Sequence, residues 1–200
     1  MSRKSLSTSP RLFFLAGPNG AGKTTSAEKL LPREIPFINA DEIAKTLAQF
    51  EGTTLDIKAS RLLLEKINSF ENELKSFAIE TNLANKGLLS RIKRLQNKGY
   101  TVTLIFLWLQ SVDLAIDRVM ERVRRGGHSV PAEVIKRRYK AGLENFFTHY
   151  QSEVDSWAFF DNSAGEVKMI ACAEKDTPEI VIDTERWNAI LRRTGNNGKA

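Results

Sequence analysis

Three glycines, Gly17, Gly20 and Gly22, punctuate the stretch Gly17-Pro-Asn-Gly-Ala-Gly22-Lys23-Thr24. The spacing fits G-x-x-x-x-G-K-[ST], the phosphate-binding loop. A polyphosphate needs several converging N–H donors, and glycines let the backbone approach it closely. In this pattern Gly17, Asn19, Gly20, Ala21, Gly22, Lys23, Thr24 and Thr25 cradle a nucleoside triphosphate. Lys23 reaches its β- and γ-phosphates, and the Thr24 hydroxyl holds Mg2+.

The elements around the loop must position it. Arg11–Ala16 is a short apolar run, the expected strand, and Thr24–Leu31 reads as a helix stopped at Pro32. A strand before the loop and a helix after it are the context in which the helix N-terminus adds its own N–H groups and dipole to anion binding. Further along, Pro36–Asn39 and Ser76–Glu80 are strand candidates, and Asp41–Phe50, Leu55–Leu74 and Gly87–Asn97 have helical spacing. Tyr100–Leu109 is the strongest strand, β-branched, aromatic and nearly continuous in its apolar character, hence central. A helix capped by Ser111 or Asp113 runs through Val123, a basic turn covers Arg124–Pro131, and Ala132–Tyr150 is helical again. Trp157–Phe160, Val167–Ala173 and Ile180–Ile182 are late strands before a helix around Glu185–Arg192. Alternation of this kind predicts an α/β fold, a three-layer P-loop NTPase or kinase architecture whose mostly parallel sheet carries helices on both faces. Ligands in such sheets bind beyond the carboxyl ends of the strands.

Composition narrows the function classes. The chain has 200 residues, 42% apolar and 27% charged, which fits one soluble domain over residues 11–193, with a leader over 1–10 and a tail over 194–200. Lys+Arg 30 against Asp+Glu 24 gives a net charge of +6, favouring polyanionic partners. A single cysteine, Cys172, excludes an intrachain disulfide and reads as a small buried hydrophobe. The N-terminal apolar run is too short for a secretory segment or a membrane span, so the expected location is cytoplasmic, with no membrane partner. Neither an LSGGQ-type signature nor an N-K-x-D-like guanine loop is present. The size suits a kinase, and the Arg-rich segment 124–138 suits a lid, because phosphoryl transfer is mostly positioning and charge neutralisation. In that lid Arg125 is the first choice for the γ-phosphate, with Arg124 as an alternative register and Arg137 or Arg138 as the second. Glu80, at the end of its strand, is placed to hold Mg2+ or to contact substrate, with Thr81 and Asn82 as hydrogen-bond partners of the substrate.

The loop GPNGAGKTT, the strand ends FINADEIA (Phe37–Ala44) and FAIETNL (Phe77–Leu83), and the block Leu107–Pro131 with its RVRRGGHSVP resemble the zeta-toxin-like family of P-loop kinases. The resemblance runs over roughly residues 11–163, through RRYKAGLENFF to Asp161–Ser163, and is nearest to the compact chromosomal branch. It implies ATP as phosphate donor, a small-molecule hydroxyl as acceptor, with UDP-N-acetylglucosamine as the family's example, and an antitoxin protein as partner. It also implies Asp41 as the catalytic base, a carboxylate within reach of the attacking hydroxyl. Arg118 or Arg122, four apart on one helix, matches an arginine that stacks on adenine in related kinases. His128 reads as a polar contact in the lid hinge and Trp108 as sheet packing.

Two other functions compete. A polynucleotide kinase or nucleic-acid binder would use the positive charge, but would also need exposed aromatics for base stacking, which this pattern disfavours. An NTP-binding regulatory module without an acceptor would need Asp41 only as a helix cap.

Overall fold

Strand β1 (Arg11–Ala16) buries every residue but the first, as its apolar run predicts, and lies in the middle of a seven-stranded sheet. The computed structural model describes residues 9–39 and 55–195, with the side chains of 55–60 and 63 also outside the description. Helix α1 (Lys23–Leu30) follows β1, and β2 (Phe37–Ile38) forms an edge. Next come α2 (Leu55–Asn72), β3 (Phe77–Thr81), α3 (Gly87–Asn97) and β4 (Thr101–Trp108). Helices α4 (Val112–Arg124) and α5 (Ala132–Asn145), a π-helical turn (Phe146–Tyr150), strands β5 (Ser156–Asp161), β6 (Lys168–Glu174) and β7 (Ile180–Val181), and α6 (Thr184–Thr194) complete the order.

The strand order is β2-β3-β1-β4-β5-β6-β7. The first five strands in that order run parallel; β6 pairs antiparallel with β5, and β7 antiparallel with β6. The fold is therefore the expected α/β arrangement with a mostly parallel sheet. Along β1 the side chains alternate between two cores: Leu12, Phe14 and Ala16 on one face, Phe13 and Leu15 on the other. Ala27 of α1 and Ala115 and Val119 of α4 cover the second face. Ile67 of α2, Ile92 and Leu95 of α3, and Trp187 and Ile190 of α6 cover the first. That face holds an aromatic cluster in which Phe146 sits 5.1 Å from Phe106 and 5.2 Å from Phe159, and Trp157 stacks on Trp187 at 5.7 Å. Each such pair adds about 1 kcal/mol beyond burial.

Helix α5 does not stay on one face. Ile135 joins the core under α4, whereas Leu143 joins the aromatic face, so the helix crosses beyond the carboxyl edge of the sheet. Tyr139 Oη donates to Leu109 O just past the end of β4. One continuous helix was expected over Ala132–Tyr150; instead the last turn widens to π geometry, bringing Phe146, Phe147 and Tyr150 together inside the core at 0%, 4% and 0% exposure. Cys172 is only half-buried, because its neighbours Ala171 and Ala173 take the inward face of β6. Pro10 O accepts from Thr101 N, extending the ladder one residue before β1, and Thr194 still belongs to α6. The helix expected over Asp41–Phe50 lies outside the described residues.

Helix α1 leaves β1 toward one face and α3 leaves the adjacent β3 toward the other. Their carboxyl ends thus bound the crevice where open α/β sheets bind ligands.

Candidate functional site

Into that crevice opens the loop Gly17–Thr24. Gly17 has φ +136°, and a Cβ there would stand 2.2 Å from Leu107 O, so the loop passes flush against β4. Gly22 precedes α1 with φ +78° in the left-handed region, and its Cβ would meet Asn162 Nδ2 at 2.7 Å. Only glycine satisfies both positions without strain. Asn162, buried at the end of β5, donates Nδ2 to Ala21 O at 2.8 Å and ties the loop to the far side of the sheet.

Lys23 is 7% exposed. Its Nζ donates to Gly17 O and Pro18 O, both at 2.9 Å, and stands 3.5 Å from Glu80 Oε1. Glu80 Oε2 in turn accepts from Thr24 Oγ1 at 2.9 Å and from Asn39 Nδ2 at 3.0 Å; the same Asn39 Nδ2 is 3.0 Å from Thr24 Oγ1. The start of α1 and the ends of β2 and β3 thereby converge on one carboxylate. A hydroxyl and a carboxylate held this close form an all-oxygen donor pair suited to a hard divalent cation, with a lysine ammonium beside it for phosphate. Among the described residues no cluster of three or more His, Cys, Asp or Glu side chains forms a metal cage, so the protein oxygens present match a cation that keeps most of its ligands from water and phosphate.

The segment after β3 is tightly built. Thr81 Oγ1 accepts from Leu83 N at 3.1 Å and Asn82 Oδ1 from Ala84 N at 3.0 Å. Both expected substrate-binding side chains thus spend an oxygen on their own turn and remain half-exposed. Leu83 takes φ +53° while fully buried, a conformation costing about 1–2 kcal/mol that its surroundings must enforce. The surroundings do: Asn145 Nδ2 donates to Leu83 O at 2.7 Å, Tyr150 Oη donates to Asn85 O at 2.7 Å, and Gly142 lies so close that a Cβ would be 2.3 Å from Asn82 O.

The basic turn is built differently. Arg125 pairs through Nη2 with Glu121 Oε1 at 2.8 Å, and Arg124 Nη1 with Glu121 Oε2 at 3.2 Å, both highly exposed. These two guanidiniums hold the Glu121 carboxyl below its usual range. Arg122 Nη2 donates to His128 O at 2.8 Å, so the contact of His128 expected in the hinge is made by its backbone carbonyl. Arg118 Nη2 donates to Ser163 O at 3.0 Å, and its Cβ lies beside Gly20 of the loop. Arg118, Arg122 and Arg125 together line a cavity of about 360 Å³ with Gly126 and Gly127.

Of the second pair of lid arginines, Arg137 is exposed on the outer face of α5, with Lys136 and Lys140, whereas Arg138 is half-buried one turn before Gly142. Asp41 lies outside the described residues. Asn39 and Asn162 escaped the sequence reading; the signal that could have found them is a polar residue ending an otherwise apolar strand at the carboxyl edge. Trp108 is buried against Phe159, as expected.

No helix among the described residues is long and apolar enough to cross a membrane. The chain is 26% identical over 129 residues to an uncharacterized protein of Haemophilus influenzae, covering 64% of this chain and 92% of that protein. Among solved structures it is similar to the AvrRxo1-ORF1:AvrRxo1-ORF2 complex with sulphate ions, at a TM-score of 0.77 and 18% identity, and to the same pair with ATP at 0.76. These matches cover 97% of this chain, which spans 66% of the matched AvrRxo1 chain. A further likeness, at a TM-score of 0.59 and 15% identity over 94% of this chain and 87% of the other, is to the PezAT chromosomal toxin–antitoxin system of Streptococcus pneumoniae. At these identities the likeness establishes the fold. The family model for zeta toxins matches residues 2–170, and the chain belongs to the zeta toxin family.

Proposed function

We propose that this protein is an ATP-dependent small-molecule kinase that transfers the γ-phosphate to a substrate hydroxyl. The observation that carries this reading is the constellation of Lys23, Thr24 and Glu80 at the crevice between β1 and β3. It is supported by the family and by a relative of the same fold solved with ATP.

In this reading the loop amides and Lys23 fix the phosphates, and Thr24 and Glu80 hold Mg2+, whose charge offsets that of the β- and γ-oxygens. Lys23 and Glu80 now neutralise each other. A bound phosphate would draw the ammonium off the loop carbonyls, and Glu80 with Thr24 would then supply oxygen donors to a divalent cation. Asp41, two residues after Asn39 in sequence, accepts the proton of the attacking hydroxyl as its oxygen bonds to the γ-phosphorus and the bond to the ADP oxygen breaks. Arg125, with Arg137 or Arg138, neutralises the equatorial oxygens of the transferring group, and Arg118 or Arg122 lies against the adenine. Thr81 and Asn82 offer their remaining capacity to the acceptor. UDP-N-acetylglucosamine is the first acceptor to try.

The nucleic-acid reading is weaker, since the large hydrophobic side chains exposed among the described residues are aliphatic or Met, with no aromatic available for base stacking. We also infer a protein partner, by analogy with the two-protein systems above; a chain purified from its own host as a monomer would remove that inference.

The test is phosphate transfer from MgATP with UDP-N-acetylglucosamine, then with a pool of hydroxyl metabolites, for the wild type, Lys23→Ala and Asp41→Asn. Transfer by the wild type alone supports the reading. ATP binding without transfer to any acceptor would favour the regulatory-module alternative, and transfer undiminished in Asp41→Asn would remove that residue as the base.

A further inference from the structure

The family match ends at residue 170, yet helix α6, well beyond it, reaches the carboxyl edge of the sheet. Asp161 ends β5 at 6% exposure, a buried carboxylate that must be paired. Its Oδ2 accepts from Arg186 Nη1 of α6 at 2.7 Å. Its Oδ1 accepts from Ser163 N at 2.8 Å and from Ser163 Oγ. Ser163 Oγ accepts from Gln110 N at 2.8 Å, and Gln110 O accepts from Arg193 Nη1, also on α6, at 3.2 Å. Arg186 is itself oriented by Asp183, which caps α6 by accepting from Arg186 N at 3.0 Å and stands 3.7 Å from Arg186 Nε.

What this chain of contacts holds is the turn that follows β5. Asn162 of that turn donates to Ala21 O inside the phosphate loop, and Ser163 O receives the guanidinium of Arg118 beside Gly20. Glu80 lies on the β3 side of β1, whereas Ser163 lies two strands away on the other side. In the reading above, with the adenine against Arg118 or Arg122, the nucleoside of the bound nucleotide lies on the Ser163 side of the loop.

We propose that Arg186 is a positioning residue for the nucleoside end of the bound nucleotide, acting through Asp161 on Ser163 and, through Ser163, on Arg118. The inference rests on the nucleotide-binding reading above. It assigns to the carboxyl-terminal helix a share in nucleotide affinity that is separate from phosphate binding.

The experiment measures the affinity of ADP, ATP and inorganic tripolyphosphate, each with Mg2+, for the wild type, Arg186→Ala, Arg186→Lys and Asp161→Asn, with thermal unfolding in parallel. Losing one charge-assisted contact in this chain is expected to weaken ADP and ATP about tenfold. Tripolyphosphate, which has no nucleoside, should bind within about twofold of the wild type, a change of only about 0.4 kcal/mol. Arg186→Lys keeps the charge and should recover most of the ADP affinity; if Arg186→Ala does not fold, Asp161→Asn, which weakens the same pair from the other side, carries the comparison. With an active preparation, KM for ATP rises while kcat holds. Unchanged ADP affinity in a variant with lowered thermal stability would overturn the proposal, as would equal weakening of all three ligands. A wild type that binds none of the three overturns the nucleotide reading itself, an outcome distinct from selective failure of the Arg186 variants.

Discussion

The turn after β3 and the basic turn after α4 both lie by the crevice, and they are built on opposite terms. The first, Thr81–Lys86, is tied at several points: two side-chain oxygens to its own backbone and two carbonyls to Asn145 and Tyr150, with a third carbonyl packed close against Gly142. The second, Arg124–Pro131, is tied by surface ion pairs to its own helix and by Arg122 to one carbonyl. Surface pairs of that kind contribute about 0–1 kcal/mol each. The first turn is therefore a wall fixed by the fold, while the arginines of the second leave Glu121 at little cost, which in the proposed function frees them for a phosphate. In the proposed function preorganisation suits the turn assigned to the acceptor, and low-cost exchange suits the arginines assigned to the transferring phosphate.

The largest effect that would sharpen this contrast is on the exchangeable wall. Arg125→Ala is expected to lower kcat by about 100- to 1000-fold, as for the loss of one charge-stabilising donor. Unfolding free energy should stay within about 0.5 kcal/mol of the wild type, as for an exposed substitution. A steady-state assay beside thermal denaturation checks both. If Arg125→Ala instead destabilised the protein, the basic turn would be structural and the contrast would fail.

On the fixed wall the order of effects reverses. Gly142→Val places branched carbons where even a Cβ would be 2.3 Å from Asn82 O, and should cost about 3 kcal/mol from overpacking. Asn145→Ala leaves the buried Leu83 carbonyl without its donor and should cost about 1–3 kcal/mol. Both are read from denaturant midpoints, and both should raise KM for the acceptor more than they lower kcat. A loss of stability without any change in that KM would mean the turn supports the fold and not the substrate.

The same contrast decides what the sequence revealed. The phosphate loop, the strand ahead of it and helix Gly87–Asn97 are local features, written in glycine spacing, apolar runs and periodicity, and each was legible. The fixed wall was not. Its holding groups, Gly142, Asn145 and Tyr150, lie about 60 residues from the turn they hold, and periodicity alone reads that stretch as more of one helix. The π turn that delivers Tyr150 changes the period over five residues, too few to register. Arg137 and Arg138 are adjacent in sequence, and only the path of α5 across the strand ends tells the outer side chain from the inner. Glu80 was legible by its position at a strand end, yet Asn39, which shares its oxygen, was visible only once β2 stood beside β3.

The smallest expected effect separates the walls by pH. Burial pushes the Tyr139 hydroxyl up to about 12 and raises that of Tyr150, and both phenols donate to backbone carbonyls from the α5 segment. The basic turn Arg124–Pro131 contains no tyrosine. Because the folded values lie above the unfolded one of about 10, these hydrogen bonds stabilise fully below about pH 10. For Tyr139 that contribution is lost as pH rises through about 12. Tyr139→Phe should cost about 1 kcal/mol near neutral pH, with the gap to the wild type narrowing as the phenol ionises. Unfolding midpoints of both proteins between pH 8 and 12 measure it. A gap close to zero at every pH would mean that Tyr139 contributes through its ring and not through its hydrogen bond to Leu109 O, leaving Tyr150 and Asn145 as the groups that fix the wall.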